Sequence, residues 1–520
     1  MRNVEIFDST LRDGAQGEGI SFSVQDKLNI VKALDDFGVD YIEAGNPFSN
    51  PKDTAFFEQV RGLRLKNAKL CAFGSTCRKG VGPCDDENVA ALLKADTETV
   101  TVFGKAWDLH VTEILRVTLD ENFDIVESTV RFLKQNNREV IFDAEHFFDG
   151  YAANPDYALE VLKAAKRGGA DLLCLCDTNG GTAPLALYDV VKRVCGAFAD
   201  MHVAIHCHND SGCAVANSLL AVEAGAMQVQ GTFIGFGERC GNADLSAVIA
   251  NLKLKRGYEM PNIKIESLSE TAIRIAEIAN LNIPGDKPFI GKSAFAHKGG
   301  MHIDGVSKLS ISFEHIDPAL VGNRRRFLTS EVSGRTTVLE KAARLAPELK
   351  KDSPETAQIV EKLKELESNG YQFEAADASF ELLILKLLGR YQPYFSLIQY
   401  KTTGDYPVSE GATSAYAMIQ IRVDGKTETA ASTGNGPVNA LDLALRKALS
   451  VFYPQLAKVH LTDYKVRVLG DRDATAAKVR VLIESSDGEQ VWTTVGVATD
   501  IIEASWIALV DSLEYKLING

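Results

Sequence analysis

Residues 171–208, DLLCLCDTNGGTAPLALYDVVKRVCGAFADMHVAIHCH, hold one full turn of the pattern that decides the fold. A short apolar run, DLLCLCD (171–177), stops at a polar turn. A helix-length segment follows, and a second apolar run, HVAIHCH (202–208), ends in two histidines. In an extended run, side chains alternate between two faces, so His206 and His208 point one way and Cys207 the other. In isolation such a pair reads more readily as packing at a strand end than as a metal site, because histidine serves many roles. Its meaning depends on what repeats around it.

Six further runs of this kind precede or follow: VEIFD (4–8), VDYIEAG (39–45), KLCAF (69–73), TVTVFG (99–104), EVIFDAE (139–145) and MQVQGTF (227–233). Most recur at intervals of roughly 30 residues, the length of one strand–helix unit. The segments between carry helix signals. SVQD (23–26) has the form of a capping box ahead of Leu28, Val31, Leu34 and Phe37. NPDYALEVLKAAKRGG places Asn154 as N-cap and Pro155 in the first turn, with Gly168 expected just past the helix end. Eight such units predict a closed (β/α)₈ TIM barrel over residues 1–280, with an open doubly wound sheet as the alternative.

In a barrel of this kind chemistry gathers at the carboxyl ends of the strands. The sequence has DSTLRDGAQ after the first strand, DAEHF at the fifth, CDTNGG at the sixth, HCHND at the seventh and GFGERCGN after the eighth. Packing alone does not explain polar groups at five strand ends. Set among them, the histidine pair reads as ligands.

Composition narrows the class. Of 520 residues, 45% are hydrophobic and 24% charged, as in an ordinary globular protein of two or three domains. Seventy acidic against 56 basic residues leave a net charge of −14, which argues against a nucleic-acid partner. The one basic cluster, NRRRF (323–327), is short enough for a solvated face or a local anion site. All nine cysteines fall between Cys71 and Cys240 without disulfide-like spacing, and Cys174 and Cys176 read as small core residues. A reducing cytoplasm is expected. MRN passes directly into VEIFDST with no basic-then-apolar leader, and no apolar run approaches the roughly 20 residues that span a bilayer, so no membrane partner is expected.

Beyond the barrel, residues 281–375 are expected to form a linker region. It opens with the Gly- and Lys-rich IPGDKPFIGKSAFAHKGGMHIDGVSK and continues as two helices, VLEKAARLAPELK and ETAQIVEKLKELESNG. Residues 376–520 are expected to form an α+β domain built on a duplication. YFSLIQYKTT, SAYAMIQIRVDGKTETAAST and PVNALDLALRKALSVF are matched by DYKVRVLGD, AKVRVLIESSDGEQVWTTVGVA and TDIIEASWIALVDSLEYKL. Each set reads strand, strand–turn–strand, helix, a βββα unit suited to pairing with a second subunit.

The strand ends permit specific chemistry. His206 and His208 offer imidazole nitrogens, Asp13 a carboxylate and Asn242 a carbonyl oxygen, a set suited to Mg²⁺, Mn²⁺ or Zn²⁺. A two-histidine, one-carboxylate iron site is the chemical rival. Arg12, with Gln16 and Thr10 in the same turn, puts a fixed positive charge beside a metal-bound substrate oxygen; the plainer reading is an Asp–Arg surface pair. Glu145 is placed to orient substrate or relay a proton, or to be a buried salt-bridge partner for Arg12. Thr178 is placed to donate a hydrogen bond to a substrate carboxylate, or only to begin its turn. Phe73, Phe103 and Asp143 are candidate pocket walls.

Together DSTLRDGAQGEG, VDYIEAGNP, DAEHFFDGY, DTNGG, HCHND, GERCGNADL and HKGGMHIDG resemble the metal-dependent, Claisen-condensing TIM-barrel family of 2-isopropylmalate, homocitrate and citramalate synthases. The likeness runs the length of the chain, and GEGISFSVQDKL, FGKAWDLHV, EHIDPALVGN and SWIALVDSLEYKL look most like the citramalate branch. The resemblance implies an acyltransferase that condenses acetyl-CoA with pyruvate and hydrolyses the thioester, on the route to isoleucine. It implies His302 as the base for the acetyl methyl, oriented by Asp304, and a homodimer in which that base comes from the partner subunit. It also implies a regulatory C-terminal domain, with isoleucine as effector. Two positions depart from the family: Phe313 stands where a Tyr is frequent, and Ala15 where Glu or Asn is frequent. A larger 2-oxo acid, an inactive amino-acid sensor and a carbon–carbon lyase are the competing readings. Retention of Arg12, Asp13, Glu145, His206, His208 and His302 weighs against the sensor, and the long C-terminal extension against the lyase.

Overall fold

Eight parallel strands close on themselves in chain order: β1 (Glu5–Asp8), β2 (Tyr41–Glu43), β3 (Lys69–Ser75), β4 (Thr99–Lys105), β5 (Glu139–Glu145), β6 (Leu172–Asp177), β7 (His202–Cys207) and β8 (Gln228–Gly231). Pairing of Glu5 through Asp8 with Gln228 through Gly231 seals the barrel. The open-sheet alternative is thereby set aside. This computed structural model describes residues 3–328, 339, 342, 345–350, 352–405, 414–469 and 477–519. Two compact units divide the chain, Met1–Phe295 with Ile316–Arg324, and Ala296–His315 with Arg325–Gly520.

Strand alternation sorts the first unit into two cores. Phe7, Tyr41, Cys71, Ile141, Leu172, Cys174, Cys176 and Ala204 fill the barrel. Ile6, Ile42, Phe142, Leu173, Ile205 and Cys207 face outward, into the layer shared with the helices. Because strands of a parallel barrel are covered on both faces, they read as nearly continuous apolar runs.

The helices follow their local signals. Ser23 caps Val24–Phe37, with the reciprocal bond from Asp26 in place, and Gly38 closes that helix at φ 101°. Asn154 caps Pro155–Gly168. Here the structure corrects the expected terminus: Gly168 is the last helical residue, and Gly169, at φ 97°, takes the left-handed position. The two glycines do different work. A Cβ on Gly168 would lie 2.7 Å from the Glu127 carbonyl oxygen and 2.8 Å from the Val130 Cβ, so its absence lets two helices touch.

In the second unit, β9 (Ala296–His297) pairs with β10 (Arg326–Phe327), and a helix, Gly300–Lys308, lies between them in sequence. Arg325 of the basic cluster forms a bidentate pair with Glu314, which also takes His297, so this arginine belongs to a local ion cluster. The helix over ETAQIVEKLKELESNG is Pro354–Ser368; five residues of VLEKAARLAPELK lie outside the described ones, and its end, 345–350, is turn and irregular chain in place of the expected helix. An unanticipated helix, Asp377–Leu387, precedes the first strand of the repeat. The duplication then follows as β11 (Ser396–Gly404), β12 (Ala415–Val423), β13 (Lys426–Gly434) and helix Pro437–Ser450. Its second copy is β14 (His460–Leu469), β15 (Lys478–Ser486), β16 (Val491–Ala498) and helix Ile501–Asn519. Both copies carry a register shift near the start of the first strand, at Leu397/Gln399 and at Leu461/Asp463. That shared irregularity extends the repeat beyond its hydrophobic pattern. Among the described residues, no helix is long and apolar enough to cross a membrane.

Candidate active site

Strands β1 to β7 and the turn after β8 bring their carboxyl ends to one cavity of about 330 Å³. Arg12, Asp13, Gln16, Phe73, Phe103, Asp143, Glu145, Thr178, His206 and His208 all line it. Eight strand ends converge because parallel strands in a barrel all point one way. Thr10 is the exception among the residues of the first turn. Its hydroxyl donates to the Asp8 carboxylate at 3.0 Å and accepts from the Phe233 amide at 2.9 Å, so it holds the turn and does not face the cavity.

Asp13, His206 and His208 offer ligand atoms within 4.8 Å of one another, all buried. The Nε2 atoms of His206 and His208 stand 3.6 and 3.7 Å from Asp13 Oδ2. Ligands held about 2.1 Å from one ion lie about 3–3.5 Å apart, so a small contraction seats a divalent cation here. His206 Nδ1 meets Gln230 Oε1 at 3.2 Å, which fixes the tautomer that leaves Nε2 a free lone pair. Asn242 donates to Asp13 Oδ1 at 2.8 Å, while its own Oδ1 is buried with no hydrogen-bond partner among the described residues. That orphaned oxygen is an acceptor waiting for a positive charge. A Cβ on Gly237 would collide with Asn242 Nδ2 at 2.2 Å, so glycine is required beside this cradle. The donor set therefore fits a divalent ion.

A second group within ligand distance, Asp143, Cys174 and Cys176, lies inside the barrel. Burial drives the Cys174 thiol well above its ordinary range, which keeps it neutral and a poor metal ligand.

Arg12 is clamped rather than free. Its guanidinium donates to Asp13 Oδ2 at 2.8 Å and to Glu43 Oε2 at 2.6 Å, and it lies 3.9 Å over the Phe73 ring. Glu43, at the end of β2, also accepts from Ser9 Oγ at 2.6 Å. Burial alone would raise Asp13, but Arg12 and the imidazoles outweigh it and hold the carboxylate well below its ordinary range. Burial and the neighbouring His206 push the His208 imidazole down to about 4, leaving it neutral. Asp143 shows the opposite behaviour in the same cavity. Burial, reinforced by Glu43, raises it to about 7, because here His206, Arg12 and Gln230 do not outweigh the loss of solvent.

Glu145 corrects one reading. It pairs with Lys105 at the end of β4, whereas Arg12 is held by Asp13 and Glu43. Sequence gave no reason to separate the two carboxylates, since both stand at strand ends. Thr178 Oγ1 accepts from the His146 amide at 2.9 Å, so its proton remains available to a ligand in the cavity. Phe73 and Phe103 stack at 5.3 Å between centroids and form one wall. Glu43, Lys105 and Gln230 escaped the sequence reading, although each sits at a strand end and the same rule would have found them.

His302 and Asp304 belong to the second unit, on helix Gly300–Lys308. The His302 ring is exposed and stacks on Phe313 at 4.5 Å, while Asp304 pairs with Lys308 at 2.6 Å. A Cβ on Gly305 would strike the Phe313 ring at 2.3 Å, so the phenylalanine packs directly on this helix.

Residues 3–275 match the HMGL-like family model, residues 289–371 the homocitrate synthase post-HMGL domain-like model, and residues 374–517 the LeuA allosteric (dimerisation) domain. The chain is 51% identical to an (R)-citramalate synthase of Aquifex aeolicus over 99% of its length and 98% of the relative's. It is 49% identical to that of Geobacter sulfurreducens, with the same coverage of both chains. A probable 2-isopropylmalate synthase of Methanopyrus kandleri is 34% identical, over 98% of this chain and 97% of its own.

Proposed function

The chain belongs to the (R)-citramalate synthase family, and we propose that it condenses acetyl-CoA with pyruvate and hydrolyses the thioester to citramalate and CoA. The observation that carries this reading is Arg12, locked between Asp13 and Glu43 beside the two histidines and over an aromatic wall. Such a wall leaves space for a methyl group next to the charged end of a small 2-oxo acid. Asp13, His206, His208 and Asn242 would hold a divalent ion, which when bound would supply Lewis-acid polarisation of the substrate carbonyl.

The chain's own groups do the rest. Arg12 presents N–H donors where the keto oxygen gains negative charge. Thr178 and Gln16 bind the substrate carboxylate end, and Glu145, held by Lys105, orients substrate or relays the proton. A base must take a proton from the acetyl methyl before the new carbon–carbon bond forms, and His302, oriented by Asp304, is the assigned base. Water then cleaves the thioester. The LeuA-type domain supports a homodimer and a regulatory role; in this reading the base crosses from one subunit to the other, and isoleucine is the effector. A cytoplasmic place in isoleucine biosynthesis completes the reading.

Thiol release from acetyl-CoA with pyruvate, 2-oxobutyrate, 2-oxoisovalerate and 2-oxoglutarate tests it. Pyruvate is expected to lead, since one extra methylene against the Phe73–Phe103 wall costs about 1–3 kcal/mol in kcat/KM. Preference for 2-oxoisovalerate would replace this substrate with that of a 2-isopropylmalate synthase. No turnover with any of the four would favour a sensor.

A further inference from the structure

Three turns at the rim of the barrel, those after β6, β7 and β8, are joined by one guanidinium. Arg239, in the turn after β8, donates from Nε to Asp210 Oδ1 at 2.9 Å and from Nη2 to Asp210 Oδ2 at 3.0 Å. Its Nη2 also donates to the Thr178 carbonyl at 2.7 Å, and its Nη1 lies 3.3 Å from Glu238 Oε2. Asp210 stands two residues beyond His208, and Arg239 three before Asn242. Thr178 and Glu238 line the cavity described above.

Backbone contacts bring the same turns together. The His208 amide donates to the Asp177 carbonyl at 3.2 Å, the Asn209 amide to Gly241 at 2.9 Å and the Ser211 amide to Gly180 at 3.0 Å. His208 and Asn242 face each other across an isolated antiparallel bridge. A Cβ on Gly180 would lie 2.5 Å from Asp210 Oδ2, so glycine gives the clamped carboxylate its room. Arg239 itself holds φ 55°, a conformation that costs a non-glycine residue energy and persists where the surroundings over-determine it. Glycine would relieve that strain. Only arginine, however, offers a planar fork that grips a carboxylate with two bonds and still reaches a carbonyl. The Arg239 and Asp210 side chains are 39% and 25% exposed, and ion pairs so placed add little to global stability.

We propose that Arg239 is a positioning residue for the metal centre: by clamping Asp210 and the Thr178 carbonyl, it sets the spacing of His208 and Asn242 and holds Thr178 beside them. The proposal rests on the metal reading of Asp13, His206, His208 and Asn242, and is independent of which 2-oxo acid is condensed. Working ligands are held to within about 0.5 Å, and the groups behind them typically change metal affinity about ten- to a hundredfold.

The test is calorimetric titration with Mn²⁺ of the full-length protein, stripped of metal by chelation, as wild type, Arg239→Gly, Arg239→Lys and Asp210→Asn. Arg239→Gly removes the guanidinium and keeps the positive φ. Asp210→Asn weakens the clamp from its other side and leaves the turn after β8 intact. Arg239→Gly should weaken Mn²⁺ binding about ten- to a hundredfold, and Arg239→Lys and Asp210→Asn by smaller factors. The metal-free melting temperature should stay within a few degrees of wild type. Combining Arg239→Gly with Asp210→Asn should cost no more than Arg239→Gly alone, since both break one contact. Unchanged affinity in Arg239→Gly overturns the proposal. A loss confined to Arg239→Gly also overturns it, because the backbone and not the clamp would then be responsible. Should Arg239→Gly fold poorly, the other two decide: weaker binding in both upholds the proposal, and wild-type affinity in either overturns it. A wild type that binds no Mn²⁺ overturns the metal reading and this proposal with it.

Discussion

The barrel's upper end and the core of the C-terminal repeat both bury their side chains, yet they are filled by different chemistry. In the repeat, Ile419, Ile421, Leu441, Leu445, Val481, Ile483, Leu509 and Leu513 meet across sheet and helix in one apolar cluster. At the strand ends of the barrel, Asp13, Glu43, Asp143, His206 and His208 are all buried within one neighbourhood. Burying charge is costly unless each group is paired and hydrogen-bonded. The clamp of Arg12 by Asp13 and Glu43 supplies that pairing only in part: among the described residues Glu43 Oε1, Asp143 Oδ1, His208 Nδ1 and Asn242 Oδ1 have no hydrogen-bond partner.

The sharpest way to break this contrast is His206→Ala. If the buried polar set serves a metal, bound divalent ion and thiol release should fall together, by about 10²-fold or more in rate. Elemental analysis and the acetyl-CoA assay read both quantities. A variant that keeps its metal removes His206 from the ligand set.

A smaller effect distinguishes the two faces of the repeat's first sheet. Ile419 is fully buried, whereas Met418 next to it is 38% exposed. Ile419→Ala should cost about 2–5 kcal/mol in urea unfolding, and Met418→Ser about 0.5 kcal/mol or less. A comparable loss from Met418→Ser, growing with protein concentration, would mean that a second subunit covers that face.

The smallest expected effect concerns Glu514, a carboxylate fully buried in the repeat. Burial raises Glu514 from 4.5 to about 7, although its carboxylate accepts from the Tyr394 amide. Between those values the folded chain binds more protons than the unfolded one. Its contribution is thus fully present below pH 4.5 and is lost as pH rises through 7. Glu514→Gln should flatten the decline in melting temperature between pH 5 and 7.5 relative to wild type, a window that brackets the upper value. A slope left unchanged would assign the decline to other groups.

Some of this was readable from the residues in order. Eight apolar runs at unit spacing specify a parallel barrel, since strands covered on both faces need no alternation. Polar groups at their ends specify the rim, and the DG turns with flanking alternation specify the duplicated hairpins. Helix Asp377–Leu387 was not readable that way: ASFELLILKL is as apolar as a buried strand, and over so short a run periodicity does not separate the two.

By itself, then, the sequence determined which side chains stand at strand ends and which way alternate residues face, because both follow from backbone geometry one residue at a time. Only the tertiary structure decided their partners. Arg12 sits between Asp13 and Glu43, Glu145 goes to Lys105, and Gln230 fixes the tautomer of His206. Those choices depend on strand register and on rotamers packed around a closed barrel, which join residues dozens to hundreds of positions apart. The same closure stacks Phe73 on Phe103 and so shapes the pocket wall.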